Sequence, residues 1–314
     1  MSYSGKMQKS HLYSVYFAPR GRDRIYDLGM QIAQLHLSPF DQIIGVIGEP
    51  GSGKSMLVKG MFPGLELSND DNGVNVRPLP LLEQDSENMF YSPHTYHVDI
   101  RFETGFTQLH TLADAVQEAV RRGKRVVIEH FELIYPLLGR NADLLIGVGE
   151  QIVVCRPSMF GPEPDEIKET VYKSLPYRLM AHSAEDICEM FIPQFDVARC
   201  GHDDVPHGFA LYFPDTCPDI DFADLEKKVK DLIAQDLPIT YVDDTHIRIG
   251  DYLQECTGPR IHVHHTGQIE NFHLLPHFIY DRFKRRYYVI GCVGEGAEAI
   301  LEQLDREQQR PGWK

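Results

Sequence analysis

The sequence predicts two modules of different class: an α/β domain with a parallel sheet flanked by helices, over residues 1–175, and an α+β domain over residues 176–314. Two observations predict the first: an apolar run that enters a glycine-rich turn, and strand-like runs that alternate with helix-like stretches. Proline and glycine cluster over residues 157–164, which indicates a loop before the pattern changes. The second half lacks this regular alternation, which favours an α+β arrangement.

In the first half, apolar residues at helical spacing alternate with short continuous apolar runs. The predicted helices are 24–36, 56–61 and 112–120, and the predicted strands are 43–47, 65–68, 125–129, 143–148 and 151–154. This alternation is typical of a parallel sheet with helices on both faces, which binds its ligands beyond the carboxyl ends of the strands.

The second half is predicted to combine two amphipathic helices with several short strands. The helices are expected at 183–191 and from 225 to 233, a polar turn region at 201–208, and strands at 209–213, 246–249, 260–263 and 287–290.

One segment of the first half fills the pattern GxxxxGK[ST] at every fixed position. It is Gly48-Glu49-Pro50-Gly51-Ser52-Gly53-Lys54-Ser55. A predicted strand precedes it and a predicted helix follows, which is the context in which such glycines expose backbone N–H groups to phosphate oxygens. Lys54 is then expected to reach the β- and γ-phosphates, and the Ser55 hydroxyl to bind Mg²⁺. The segment predicts a P-loop NTPase that binds ATP or GTP with Mg²⁺.

Acidic residues that could serve this loop follow the predicted strands. Asp70 and its neighbour Asp71 come directly after residues 65–68, where they could act on Mg²⁺ or on an acceptor hydroxyl, or simply form a turn. Glu129 ends a buried strand and is expected to orient water or metal, because a buried carboxylate needs a partner. Asp99 is a third candidate. Lys54, Asp70 and Glu129 form the expected catalytic set, and Ser55 with Asp70 the expected magnesium ligands.

Several of these segments together resemble the uridine kinase and phosphoribulokinase family. The resemblance covers about residues 40–150 and is carried by residues 44–55, 67–71, 126–129, 133–136 and 142–144. It implies that Asp70 acts on the acceptor hydroxyl of a nucleoside-like substrate. The arginine-rich lid of that family is not matched, since only Arg156 follows the 143–148 strand. A competing resemblance, through His97-Val98-Asp99 and Ile128-Glu129-His130, is to the small ATPase of the tRNA threonylcarbamoyl-adenosine pathway.

Four residues of the second half form a candidate zinc set. His182 and Asp186 are one turn apart on a predicted helix and therefore share a face. Cys256 and His262 lie far downstream and offer the sulfur and nitrogen donors that Zn²⁺ prefers. The alternative is a surface helix with an incidental histidine, because the chain has 15 histidines.

Residues 178–292 resemble the second additional domain of alanyl- and threonyl-tRNA synthetases, and the whole chain is similar to the bacterial family described as alanine-tRNA synthetase second additional domain-containing proteins. The resemblance is carried by residues 182–191, 208–213, 225–239, 256–263 and 266–272. It implies an HxxxH plus CxxxH metal site that hydrolyses mischarged tRNA. Here Asp186 replaces the second histidine of HxxxH, and His262 falls two residues later than in that family. His264 and His265 could substitute for it.

Composition limits the remaining possibilities. The net charge is −15, from 46 acidic against 31 basic residues, which disfavours non-specific nucleic-acid binding. The six cysteines form no CxxC pair, which argues against a disulfide framework and a zinc ribbon. No apolar run is long enough to cross a bilayer, and the N-terminus lacks the apolar core of a signal peptide, so a cytoplasmic protein without a membrane partner is expected.

Three functions are consistent with these patterns. The first is an ATP- or GTP-dependent phosphotransferase or NTPase whose second domain recognises a nucleoside, an amino acid or tRNA. The second is a nucleotide-gated regulator that binds RNA or an amino acid without kinase activity. The third is an aminoacyl-tRNA editing hydrolase with an accessory ATPase.

Overall fold

A computed structural model describes residues 13–68, 81, 94–193, 195 and 199–308 of the chain. The chain divides into two compact units. Unit 1 comprises Met1–Ala18 and Asp23–Lys173, and unit 2 comprises Pro19–Arg22 and Ser174–Lys314. Within the described ranges, no helix combines the length and the apolar character needed to cross a membrane.

Unit 1 contains six strands and the helices that flank them, in the part of the chain that the structure describes. The strands are β1 (Tyr13–Phe17), β2 (Ile43–Ile47), β3 (Thr95–Asp99), β4 (Arg125–Glu129), β5 (Leu144–Val148) and β6 (Gln151–Cys155). The helices are α1 (Arg22–His36), α2 (Lys54–Met61), α3 (Ile100–Glu103), α4 (Leu109–Arg121) and α5 (Phe131–Leu138), and the long helix α6 (Pro164–Met190) begins in this unit. The helices predicted around α1, α2 and α4 are confirmed.

The strands form one mixed sheet in the order β1-β6-β5-β2-β4-β3. Strands β3, β4, β2 and β5 are parallel, whereas β6 is antiparallel to β5 and β1 to β6. The prediction of a wholly parallel sheet is therefore wrong at this edge. The cause is the two-residue connection from Val148 to Gln151, because a parallel partner needs a crossover of about a dozen residues.

Successive residues of β2 contribute to different cores, which places helices on both faces of the sheet. Ile43 and Ile47 pack with the apolar face of α4 and with α5, whereas Ile44 and Val46 pack with α1 and α2. The α/β arrangement of a sheet flanked by helices is confirmed. The short strand predicted at residues 65–68 is absent from the described residues, and the Ser68 backbone N–H instead donates to the His97 ring.

Helices α1 and α2 approach each other through glycine. A Cβ atom at Gly60 would lie 2.0 Å from the Tyr26 carbonyl oxygen, and one at Gly29 would lie 2.4 Å from the Leu57 carbonyl oxygen. Distances this short to backbone atoms leave no room for a methyl group. Glycine at both positions therefore permits the short distance between α1 and α2, the helix that begins at Lys54.

We expect Gly60→Ala to destabilise unit 1 by about 1–3 kcal/mol, because the overpacking outweighs the gain of about 1 kcal/mol in helix propensity. Urea unfolding followed by circular dichroism measures the change. Gly105→Ala is the comparison, since a Cβ there would meet its nearest atom, the Phe102 carbonyl oxygen, at 3.2 Å, and we expect it to cost less than Gly60→Ala. Equal stability of Gly60→Ala and the wild type would contradict the close helix packing.

Unit 2 combines helices with antiparallel sheets. Its helices are the C-terminal part of α6, α7 (Phe222–Ile233) and α8 (Ala297–Gln308), with one 3-10 turn at Thr266–Gln268. Its strands are β7 (Gly201–Val205), β8 (Gly208–Pro214), β9 (Ile239–Asp243), β10 (His246–Ile249), β11 (Tyr252–Glu255), β12 (His273–Leu274), β13 (Ile279–Asp281) and β14 (Arg286–Cys292). One sheet has the order β11-β10-β9 and the other β12-β14-β8-β7, with β13 also paired to β14.

Three predictions for this unit need correction. The polar turn predicted at 201–208 is strand β7 and a tight turn to β8, because hydrogen bonding to β8 stabilises a strand of polar sequence. The strand predicted at 260–263 is irregular backbone. The helix predicted at 183–191 is the end of the longer α6, which continues through Pro176.

The first module was predicted to include residues 19–22, whereas these residues belong to unit 2. The physical reason is Arg20, which is 2% exposed and pairs with the buried Glu185. Separating such a pair would leave a buried charge without compensation.

Candidate functional site

The glycine-rich loop, residues 48–55, connects the end of β2 to the first residue of α2 in unit 1. Gly51 and Gly53 have φ values of 79° and 89°, a region that favours glycine, and Gly53 directly precedes the helix. A Cβ at Gly48 would lie 2.7 Å from the Val148 carbonyl oxygen. The loop therefore depends on glycine for its backbone path, and its end coincides with the N-terminus of α2, where N–H groups and the helix dipole favour anions.

Lys54 is buried and lies beside two acceptors. Its Nζ donates to the Glu49 carbonyl oxygen at 2.9 Å and lies 3.9 Å from Glu129 Oε2. Burial lowers the pKa of Lys54, and the Glu129 carboxylate opposes that shift. The predicted lysine and the predicted strand-end glutamate are thus adjacent in the structure.

Glu129 is held by a histidine that sequence reasoning noted without assigning it a role. His97 Nε2 lies 3.2 Å from Glu129 Oε1, and both side chains are buried. The Ser68 backbone N–H donates to His97 Nδ1 at 3.0 Å, so Nδ1 accepts and Nε2 carries the proton given to Glu129. Burial acts to raise the pKa of Glu129, but the His97 hydrogen bond and the nearby Lys54 ammonium leave it below its ordinary value.

Of the other predicted acids, the structure describes Asp99 but not Asp70 or Asp71. Asp70, predicted to act on the acceptor or on Mg²⁺, lies outside the described residues, as does Asp71. Asp99 caps α3, because its carboxylate accepts from the Phe102 backbone N–H at 3.1 Å. Ser55, the predicted Mg²⁺ ligand, is the second residue of α2 and is one of the groups that lower the pKa of Glu129. The described part of this site is therefore the loop, Lys54, Ser55 and Glu129.

In unit 2 the structure brings together all four residues of the predicted zinc set. One ligand atom from each of His182, Asp186, Cys256 and His262 lies within 4.8 Å of the other three. His182 Nε2 is 3.3 Å and His262 Nε2 is 3.7 Å from Cys256 Sγ, and His262 Nε2 is 2.8 Å from Asp186 Oδ2. Helix α6 supplies the first two residues, and the irregular chain after β11 supplies the other two.

Hydrogen bonds fix the orientation of both histidine rings and leave Nε2 of His182 available to a metal. His182 Nδ1 lies 3.1 Å from Glu185 Oε2, and His262 Nδ1 lies 3.3 Å from the Pro259 carbonyl oxygen. A carboxylate oxygen only accepts, so His182 Nδ1 carries a proton and its Nε2 offers a lone pair in the neutral ring. His262 Nε2 donates to Asp186 Oδ2 at 2.8 Å, so a metal at this nitrogen would displace that proton. Burial lowers the pKa of His182, which favours that neutral form.

The donor set fits a tetrahedral transition metal. Two ligand atoms about 2.0–2.3 Å from a tetrahedral Zn²⁺ are roughly 3.3–3.8 Å apart, which matches both distances to the Cys256 sulfur. The 2.8 Å between His262 Nε2 and Asp186 Oδ2 is shorter, because these two atoms are hydrogen-bonded, and they would have to separate by about 0.5 Å to share a metal. The Gly258 backbone N–H donates to the same sulfur at 3.2 Å, as expected around a thiolate ligand. Burial raises the pKa of the Cys256 thiol, so its deprotonation depends on a bound cation.

Two residues near this cluster were missed by sequence reasoning. Glu185 lies one turn from His182 on α6, a helical spacing that could have revealed it. Arg20, which binds Glu185, is 165 residues away in sequence and no local pattern marks it. His264 and His265, predicted as substitutes for His262, are exposed. His262 itself reaches the cluster, although it falls two residues later than the resemblance implied.

No protein-family model matches this chain, and no curated protein matches it either. The function of the two sites must therefore follow from their geometry and chemistry.

Proposed function

We propose that unit 1 is a P-loop NTPase that binds ATP or GTP with Mg²⁺ and promotes attack on the γ-phosphate, by water or by an acceptor hydroxyl. The observation that carries the proposal is the 3.9 Å distance between Lys54 Nζ and Glu129 Oε2 beside the glycine-rich loop. A lysine in this loop binds the β- and γ-phosphates, so a carboxylate beside it faces the reacting phosphoryl group.

Each residue has a role that its position supports. The loop N–H groups and the N-terminus of α2 bind phosphate oxygens, and Lys54 neutralises charge on the β- and γ-phosphates. When bound, Mg²⁺ supplies charge neutralisation at the phosphates, with the Ser55 hydroxyl as its protein ligand. Glu129 is ionised and accepts a proton from, or orients, the attacking hydroxyl or water. Loop 48–55 thus binds, and Glu129 directs the reaction.

The binding step is tested with Lys54→Ala. We expect this variant to bind ATP–Mg²⁺ about 10–100-fold more weakly, because charged hydrogen bonds contribute about 1.5–3 kcal/mol and 1.4 kcal/mol is tenfold in affinity. Titration calorimetry measures the affinity, with GTP as the second ligand.

Lys59→Ala is the matched control, because Lys59 lies on the same helix away from the loop. We expect it to retain wild-type affinity. Wild-type affinity in Lys54→Ala as well would exclude nucleotide binding at this loop.

Unit 2 supports a second proposal, a zinc centre formed by His182, Asp186, Cys256 and His262. Four protein ligands are the number of a closed structural site, whereas catalytic zinc sites keep one position for water. We therefore favour a structural centre that stabilises a recognition module over an editing hydrolase. When bound, Zn²⁺ would neutralise the charges of the Cys256 thiolate and the Asp186 carboxylate.

The phosphotransferase and the gated regulator differ in what stimulates turnover. We expect hydrolysis of ATP to rise when the acceptor, or the molecule that unit 2 recognises, is added. A screen of nucleosides, amino acids and tRNA for stimulated phosphate release measures this. A phosphorylated nucleoside among the products favours the kinase. Stimulated phosphate release without a phosphorylated product favours the regulator.

A further inference from the structure

A buried chain of charged hydrogen bonds leads from His182 to an arginine at the start of unit 2. His182 Nδ1 lies 3.1 Å from Glu185 Oε2, and Arg20 donates to Glu185 from Nε at 3.1 Å and from Nη2 at 3.2 Å. The exposed fractions of Arg20, His182 and Glu185 are 2%, 0% and 0%.

We propose that Glu185 and Arg20 are positioning residues of the metal centre, which hold His182 in its Nδ1-protonated form and set the metal affinity of Nε2. The inference rests on the metal centre proposed above and adds residues that contact no metal. A carboxylate behind a ligating histidine fixes the ring and raises the basicity of the coordinating nitrogen.

The carboxylate can perform this role only while it is ionised and immobile. Arg20 lies against the buried carboxylate of Glu185, so the negative charge of that carboxylate is compensated inside the core. The two hydrogen bonds from Arg20 contact both oxygens, so the carboxylate cannot rotate without breaking one of them.

Arg20 is itself anchored on its far side. Its Nη1 donates to the Gly208 carbonyl oxygen at 3.0 Å, and its Nη2 lies 3.1 Å from Asp204 Oδ1. Asp204 lies in β7 and Gly208 is the first residue of β8, so both partners belong to the β7–β8 hairpin. The guanidinium therefore links this hairpin to Glu185, and Glu185 links it to His182.

Cobalt titration of the full-length protein tests the proposal, since Co²⁺ in a thiolate-containing tetrahedral site absorbs visibly. We expect Glu185→Gln to bind Co²⁺ about 10–100-fold more weakly than the wild type, the usual effect of removing an outer-shell partner. We expect the absorption bands to shift as well, because the ring loses its fixed orientation. Arg20→Lys, which cannot contact both oxygens, is expected to weaken binding to a smaller extent.

Glu189→Gln is the matched control, because Glu189 is buried one turn further along α6 and does not contact His182. It lies against His202 Nδ1, which also lies 3.4 Å from Glu185 Oε1, so the control also tests whether His202 matters to the metal affinity. The double variant Arg20→Lys/Glu185→Gln tests whether Arg20 acts on His182 through Glu185. If Arg20 acts through Glu185, the arginine substitution adds no further loss once Glu185 is changed.

A second measurement on wild-type protein avoids the risk that a variant fails to fold. Long-range ¹H–¹⁵N spectra of the zinc-loaded protein should show His182 protonated at Nδ1 and ligated through Nε2. The opposite assignment, or Co²⁺ affinity and spectrum unchanged in a folded Glu185→Gln, would overturn the positioning role. Absence of Co²⁺ binding by the wild type would instead refute the metal centre itself.

Discussion

Glu129→Gln is expected to retain the affinity for ATP–Mg²⁺ and to lose about 10²–10⁴-fold in phosphate release, the range attributed to a positioned general base. The amide is isosteric with the carboxylate and its oxygen can still accept from His97, so the buried site keeps its shape. It cannot accept a proton from the attacking group, and its dipole orients that group less strongly than a full charge. Single-turnover phosphate release at saturating ATP measures the effect on the chemical step.

Glu132→Gln separates this role from a general effect of removing a buried acid. Glu132 is also buried, but it contacts His130 and Tyr172, and its charge acts on Lys54 less strongly than that of Glu129. We expect its rate to remain within several-fold of the wild type. Equal losses in both variants would indicate that polar packing near the loop, and not the position of Glu129, controls the rate.

His97→Ala should lower the same rate by a smaller factor, because the carboxylate keeps its charge and loses one hydrogen bond. The affinity for ATP should stay unchanged, because His97 contacts Glu129, and it is Glu129 that lies beside Lys54. Measuring affinity and single-turnover rate together distinguishes this result from unfolding, which would lower both.

Zinc is expected to raise the thermal stability of unit 2, and Cys256→Ser to abolish that effect. Free zinc at about 1,000 times its dissociation constant stabilises the folded form by about 4 kcal/mol, since it binds the unfolded chain weakly. For a unit of this size the midpoint should rise by roughly 10 °C. Calorimetry of the zinc-loaded and chelator-treated protein measures the shift.

Cys217→Ser is the control for general thiol effects, because Cys217 is exposed and lies outside the cluster. It should show the wild-type response to zinc. A zinc-induced shift that survives in Cys256→Ser would place the metal elsewhere on the chain.

Features determined by neighbouring residues followed from the sequence alone. The glycine-rich loop needs a strand, a turn of defined backbone path and a helix, and all three are encoded within residues 43–61. The apolar periodicity of α1, α4 and α7 likewise predicted those helices, because an amphipathic helix has a fixed repeat. His182 and Asp186 were placed on one helix face by the same argument.

The tertiary structure decided the features that depend on the direction of the strands and on which residues of neighbouring strands are paired. Strand β6 is antiparallel to β5 because a tight turn joins them, which apolar content does not reveal. His97 reaches Glu129 because β3 pairs with β4 so that His97 is opposite Val127, which shares a sheet face with Glu129. The strand predicted at 260–263 is irregular backbone, and its apolar residues Ile261 and Val263 are buried without pairing to a sheet.

The sequence by itself therefore determined a glycine-rich loop between a strand and a helix, the helix that carries two candidate ligands, and the alternation that makes an α/β unit. Only the tertiary structure decided that Cys256 and His262 complete the set and that Arg20 belongs to unit 2 through Glu185. Local patterns follow from helix and strand periodicity, which a few neighbouring residues determine. Contacts between distant residues depend on the packing of the whole core, which no short stretch of sequence contains.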